Sequence, residues 1–457
     1  MNIQNRQRDF DQLRKTYPFF EYKSYTYSIA DSGFKASFHF NISDAYYFSP
    51  SIEIPYREIY HWNKLSNNDL DNLVFHLGMI ELISYWKLTC SPEIRILPHL
   101  LDEKQVQWWK KLYVQGLGEF LYLNGIDSEI NDLFHIYSEG KPLKTISFTA
   151  DDTKVMVPVG GGKDSVVTLE LLRSGNMSVI PMAVNMRPAI RQSIENAGFT
   201  VDESLLVNRY LDPLMLDLNQ QGFLNGHTPF SAMLAFLTVL LAAGSGIKYI
   251  ALSNESSANQ STVPDTHINH QYSKSFEFEQ DFDAYIHQYI HKEIKYFSFL
   301  RPINELQIAA LFAGFKHHHV SFRSCNVGSK LNQWCGACPK CLFTYVMLSP
   351  FLKHEELQAI FGTDLLENSQ LSVAFDELVG RASIKPFECV GTPDEVNAAI
   401  YKTFHTHKNH PLLLKNYNFS DQGERDYSTL MNEFSDEHHL SGSLVNLLKE
   451  ALHDRLT

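Results

Sequence analysis

The sequence predicts an α/β protein with a parallel-sheet domain over residues 151–345. An α+β domain precedes it over 1–150, and a helical region follows over 346–457. Three observations carry that prediction. From residue 154 onward, short β-branched runs alternate with stretches of helical apolar spacing, the pattern of a parallel sheet covered on both faces. The first of those runs ends in Gly160, Gly161 and Gly162 ahead of a helix. Beyond Cys341 the spacing is helical throughout.

Composition narrows the class. With 457 residues, 44% of them hydrophobic and 20% charged, the chain has material for two or three domains of an ordinary soluble enzyme. A net charge of −13 counts against a protein that follows nucleic-acid phosphates over a wide surface, so no nucleic-acid partner is expected. The first residues, MNIQNRQRDFDQLRK, lack the apolar core of a signal peptide. The most apolar stretch, 230–243, ends in Gly-Ser-Gly and is too short to span a bilayer. A cytoplasmic protein with no membrane partner is therefore expected. Clustering of four of the six cysteines points to a metal site in a reducing compartment rather than a disulfide framework.

In chain order, residues 25–42 alternate apolar and polar around Asp31-Ser32-Gly33, a hairpin signal. Residues 70–88 and 103–123 have helical spacing, and the aromatic side chains of the second, including Trp108 and Trp109, suit core packing. Turn-rich 140–142 and 149–152 mark the domain boundary. A strand over 155–159, a helix bearing Val166, Leu169, Leu171 and Leu172, a strand over 179–184 and a helix over 190–197 follow. Then come a strand near 205–207, a helix over 230–243 and a strand over 249–252 that ends in Ser253-Asn254-Glu255. Ligands of open parallel sheets gather at the carboxyl ends of strands, so 160–165 and 253–255 should face one crevice.

The glycine run brings backbone close to an anion, and the N–H groups of the helix that follows point at it, which suits a phosphate. Asp164 after Gly162-Lys163 rules out a Walker A motif, and the spacing does not fit the dinucleotide fingerprint. Gly160, Gly161, Gly162, Lys163, Asp164 and Ser165 are the candidate nucleotide-binding residues.

Residues 254–279 form a long polar stretch carrying Glu255, Asp265, His267, His270 and Lys274, a concentration of groups able to move protons. Singly, each suits a solvated loop; as a set, at least one is expected to be catalytic. Cys325, Cys335, Cys338 and Cys341 have the spacing of a closed tetrahedral zinc knuckle, with an iron–sulfur cluster as the second option on the same thiolates. Cys389 in KPFECVG is either a buried inert thiol or a proton carrier beside Glu388 and near Lys385. His317, His318 and His319 read as surface, because three neighbours on a helix cannot all face one ion. The remaining helices are expected over 342–348, 355–361, 371–379 and 444–452.

The glycine run resembles the pyrophosphate loop of the PP-loop ATP pyrophosphatases, Ser-Gly-Gly-x-Asp-Ser after a first strand. Gly161, Gly162, Asp164 and Ser165 match, while Gly160 stands where that family has serine and removes one hydroxyl contact to phosphate. The cysteine knuckle is similar to that of PP-loop enzymes making the deazaguanine nitrile of queuosine biosynthesis. VPVGGGKDS, NESSAN, HQYSKSFEFE, FLRPINELQIA, WCGACPKC and KPFECVG together resemble the MurL family.

That resemblance implies an adenine nucleotide alpha hydrolase-like fold that binds ATP with Mg²⁺, Lys163 neutralising phosphate charge. It also implies ATP-dependent epimerisation of the terminal L-glutamate of UDP-N-acetylmuramoyl-L-alanyl-L-glutamate in peptidoglycan synthesis. The route is an acyl-adenylate, with release of AMP and diphosphate. The residue types, not the resemblance, nominate His270, Lys274, Glu255 and Cys389 as proton carriers. Other readings are a PP-loop adenylating enzyme acting on a deazapurine acid or on tRNA, which the acidic balance disfavours, and a non-catalytic ATP sensor.

Overall fold

The computed structural model describes residues 3–127, 133–263, 269, 272–325, 327–406, 411–415, 417 and 423–456. The chain is mixed α/β and divides into two compact units. The first comprises Met1–Asp152, Leu205–Ile250 and His267–Tyr296, and the second Thr153–Ser204, Ala251–Thr266 and Phe297–Thr457. Among the described residues no helix is long and apolar enough to cross a membrane.

In the first unit the expected hairpin forms from antiparallel strands Phe19–Ala30 and Gly33–Ile42, turning at Asp31-Ser32. Strand Ser51–Pro55 pairs antiparallel with Gly33–Ile42, and Leu205–Tyr210 pairs antiparallel with Ser51–Pro55. Strands Glu93–Ile96 and His135–Ser138 add in parallel on the other side of the hairpin. The strand expected near 205–207 thus takes part in a mixed sheet rather than a purely parallel one, because its partner 51–55 runs the opposite way. Phe34, Ala36, Phe38, Phe40 and Ile42 bury one face of the sheet, the period of two expected of a strand covered on one side.

Helix Asn67–Trp86 begins at a capping box between Ser66 and Asp69 and is buried along nearly its whole length. Gly78 lets it approach the hairpin, for a Cβ there would lie 1.9 Å from the Tyr22 hydroxyl. Several of the polar groups this burial strands are paired. His76 Nδ1 lies 2.8 Å from the Asn72 carbonyl and Nε2 3.0 Å from the Tyr285 hydroxyl, which also accepts from Gln105 and Trp109. Arg209 grips Glu81 through two hydrogen bonds of 2.8 Å. Trp109 is core, as its sequence context implied.

In the second unit strand Asp151–Pro158 pairs in parallel with Ser178–Val184, joined through helix Lys163–Ser174. That is the strand, glycine turn, helix unit read from the sequence. Helix Pro188–Asn196 follows, begun by proline at its first position. Helix Glu305–Gly314 packs on both Lys163–Ser174 and Gly442–Leu456. Helices Pro339–Leu348, His354–Phe361, Ser372–Leu378 and Pro393–Thr406 complete the largely helical C-terminal part.

Candidate active site

The glycine loop leaves strand Asp151–Pro158 and enters helix Lys163–Ser174 with each glycine in a distinct role. Gly161 has φ 83°, and a Cβ there would meet Ile190 N at 3.0 Å and Ala189 at 3.1 Å. Gly162 is the N-cap of the helix, and no side chain caps the N–H groups behind it. Gly160 has nothing within 4 Å of the place its Cβ would take, so that side of the loop is open. The loop is held from its other side by 323–324. The Arg323 N–H donates to the Gly161 carbonyl at 2.7 Å, and Ser324 Oγ lies 2.9 Å from the Cβ position of Gly162. Ser165 turns inward and donates to the Gly162 carbonyl at 3.0 Å.

Beside this loop lies a buried cluster of carboxylates and lysines. Lys163 Nζ donates to both Asp164 and Glu305, and Lys163 and Glu305 are each only 2% exposed. Glu305 opens helix Glu305–Gly314, and its N–H donates to Glu395 Oε1 at 2.8 Å. Segment 385–391 runs close against these groups, since a Cβ on Gly391 would lie 2.5 Å from Glu395 Oε2 and 3.3 Å from Glu305 Cγ. Lys340 Nζ donates to the Cys389 carbonyl, and Lys385 Nζ to Gln260 Oε1 at 2.8 Å. Glu255 is buried, with its carbonyl taking a hydrogen bond of 2.7 Å from the buried Arg301.

Burial pushes the Glu305 carboxyl up, to about 7, against the pull of Lys163; Asp164 and Glu255 act in the same sense as burial. Burial alone would lower Lys163, but the Asp164 and Glu305 carboxylates more than reverse this and hold it cationic. Burial likewise raises Glu395 and lowers Lys385. Several titratable groups displaced by one another's fields beside a glycine loop with an uncapped helix N-terminus are a common setting for proton transfer.

Of the proton carriers nominated from sequence, Glu255 raises Glu305 and Lys385 through its charge, while Cys389 meets Lys340 through its backbone carbonyl rather than its thiol. Lys274 belongs to the first unit, where it ends the turn Tyr272–Lys274 just before Ser275 caps helix Phe276–Tyr289. His270 lies outside the described residues, as do Asp265 and His267. Glu305, Glu395, Lys340, Arg301 and Arg323 were not read from the sequence; an acidic residue interrupting an apolar run, as Glu305 does in INELQIAALF, was the available signal.

Cys325, Cys335, Cys338 and Cys341 bring their Sγ atoms within 4.8 Å of one another, with pairs at 3.9, 3.7 and 3.4 Å. Four thiolates around one zinc at ~2.3 Å would stand roughly 3.8 Å apart, so the donor set fits a tetrahedral ion. The Gly328 N–H donates to Cys325 Sγ at 3.1 Å, the kind of bond that supports a thiolate ligand.

The surface reading of 317–319 is corrected. His318 is fully buried, His319 nearly so, and only His317 is exposed. The segment Lys316–His318 is a 3-10 turn, not an α-helix, and the long imidazole arms of consecutive residues converge from it. His317 and His318 Nε2 lie 2.9 and 2.8 Å from one oxygen of Glu170, whereas His319 Nε2 is 3.4 Å from the Phe312 carbonyl.

The sequence is similar to that of known proteins over most of the chain. The MurL N-terminal domain family matches residues 11–299 and the MurL C-terminal domain family residues 321–419. A UDP-N-acetyl-alpha-D-muramoyl-L-alanyl-L-glutamate epimerase of Xanthomonas oryzae pv. oryzae is 34% identical over 335 residues, covering 71% of this chain and 72% of that protein. Proteins of the same name from Salinispora tropica and a Micromonospora species are each 34% identical over 330 residues, covering 71% of this chain and 71% and 73% of their own lengths. The chain belongs to the MurL family.

Proposed function

We propose that this protein inverts the terminal L-glutamate of UDP-N-acetylmuramoyl-L-alanyl-L-glutamate to D-glutamate, using ATP to adenylate the glutamate carboxylate and releasing AMP and diphosphate. The observation that carries the chemistry is the buried Lys163, Asp164, Glu305, Glu395 and Glu255 cluster set against an uncapped helix N-terminus with one open glycine face. The substrate comes from the names of the relatives.

The reading is chemically coherent. Removing the α-proton of an ionised glutamate would place two negative charges on the enediolate. Transfer of AMP to that carboxylate forms a mixed anhydride, which removes one charge and acidifies the α-carbon, and water cleaves the anhydride after inversion to free AMP and the carboxylate. Gly160 to Ser165 would take the diphosphate, with the Lys163 cation and Mg²⁺ offsetting its charge. Epimerisation then needs a base on one face and an acid on the other. Glu255 and Cys389 are proposed for these roles from the cluster, with Lys274 and His270 as the remaining candidates. Glu305 joins them, because a carboxyl titrating near neutrality can both give and accept a proton. A nucleotide-linked cell-wall precursor and ATP as reactants place the enzyme in the cytoplasm, with Zn²⁺ at the four cysteines as a structural ion.

The test incubates the purified protein with ATP, with and without UDP-N-acetylmuramoyl-L-alanyl-L-glutamate, and reads diphosphate release and glutamate chirality. Diphosphate released only with that substrate, together with D-glutamate in the product, is expected. Chirality unchanged in the presence of ATP would overturn the reading. Inversion without diphosphate release would overturn the adenylation step alone.

A further inference from the structure

We infer that Glu170, His317 and His318 form a second metal site, which takes a divalent first-row transition ion of the zinc class independently of the four cysteines. Glu170 sits on helix Lys163–Ser174, seven residues past Lys163, and is 6% exposed; His318 is 0% exposed. The Nε2 atoms of His317 and His318 converge on the same oxygen, Glu170 Oε1, at 2.9 and 2.8 Å, and the three donor atoms all lie within 4.8 Å of one another. Two imidazole nitrogens and one carboxylate oxygen are the three-ligand set that leaves a fourth position to water.

The site is built rather than incidental. The turn that presents the imidazoles is fixed from behind, since Asn196 Nδ2 donates to the His317 carbonyl at 2.9 Å and to Ser321 Oγ at 2.9 Å. Ser321 Oγ in turn donates to the His318 carbonyl at 3.0 Å. Arg173 lies 3.4 Å from the other Glu170 oxygen, Oε2, so Glu170 offers a single oxygen to an ion. Among the described residues His318 Nδ1 is buried with no hydrogen-bond partner, so the tautomer of that ring is set by what sits at Nε2. A cation at the convergence point would take the Nε2 lone pairs of both rings, the protons now shared with Oε1 passing to Nδ1. The half-exposed His317 leaves it a way in from solvent.

The test uses the full-length protein as purified. Zn²⁺ is titrated by calorimetry with elemental analysis of the bound metal, and Co²⁺ is then titrated while the visible spectrum is recorded. Thiolate-bound cobalt gives intense charge-transfer bands, and a nitrogen and oxygen site gives only weak ligand-field bands. Wild type is expected to bind one equivalent more than the cysteines account for, with weak cobalt bands added to the thiolate ones. In His317→Ala, an exposed position that spares the fold, that equivalent should weaken by about tenfold or more while the thiolate bands persist. Glu170→Gln should do the same. No equivalent beyond the cysteine-bound one in wild type, or an extra equivalent unchanged in both variants, would overturn the inference.

Discussion

Lys163 shows how much a single buried cation can hold in place. It pairs with Asp164 and Glu305, and Glu305 has almost no access to solvent with which to replace a lost partner. Lys163→Met should therefore destabilise the protein by roughly 3–5 kcal/mol, read from the denaturant midpoint. Without Lys163 the Glu305 carboxyl rises further and holds its proton at neutral pH. The loss should deepen as pH is raised, and adding Glu305→Gln should restore it at alkaline pH, while ATP turnover stays lost in both. A double variant as unstable there as the single one would show that Glu305 is not the stranded charge. His76 makes the opposite case, a titratable group that is stable only when neutral. Its Nδ1–H donates to the Asn72 carbonyl, its Nε2 accepts from Tyr285, and burial lowers its pKa from 6.5 to about 4. Between those two values the unfolded chain binds a proton that the folded one refuses. This contribution is thus fully present above pH 6.5 and lost as pH falls toward 4, at roughly 1.4 kcal/mol per unit. Nitrogen NMR should find the His76 ring neutral at pH 5, and a protonated ring there would sink the argument.

At the scale of the element, the glycine loop separates backbone need from ligand need. Gly161 is left-handed and pressed against 189–190, so Gly161→Ala should cost about 1–2 kcal/mol in stability and loosen the loop as well. Gly160 has an ordinary φ and open space, so Gly160→Ala should change stability by no more than about 0.5 kcal/mol while weakening ATP binding, as its methyl would occupy the open face. Equal unfolding midpoints for the two variants would contradict this division. The loop, its flanking strand and helix, the hairpin and the cysteine knuckle were legible because each is written locally, in glycines, period and spacing. The carboxylate cluster was not. Glu305 and Glu395 are 90 positions apart and meet through one N–H, which no window of sequence can register. Strand Ser51–Pro55 was unread for the same reason, its partners being an early hairpin and a strand near residue 205. The histidines were misjudged because helix geometry was assumed where a 3-10 turn forms.

For the molecule as a whole, the cysteine cluster and the glycine loop are joined by backbone within the second unit. Residues 323–325 run from the loop to the first cysteine, so the Arg323 N–H that holds the Gly161 carbonyl lies two residues from Cys325 Sγ. The Arg323 N–H is thus one tie on the carbonyl of left-handed Gly161, and it moves with the backbone that leads to the first cysteine. A metal that only stabilises the knuckle should then also support nucleotide binding at a distance, without touching ATP. Cys335→Ser, at the least buried of the four ligands, should release the ion and lower the unfolding midpoint. ATP affinity should fall by about tenfold, equivalent to roughly 1.4 kcal/mol, although no ATP-contacting group has changed. Metal-depleted wild type should match it, and restoring Zn²⁺ should recover affinity in wild type alone. Full ATP affinity in a variant shown by elemental analysis to have lost its cysteine-bound metal would mean that the loop holds its shape unaided, and that Arg323 is a passenger.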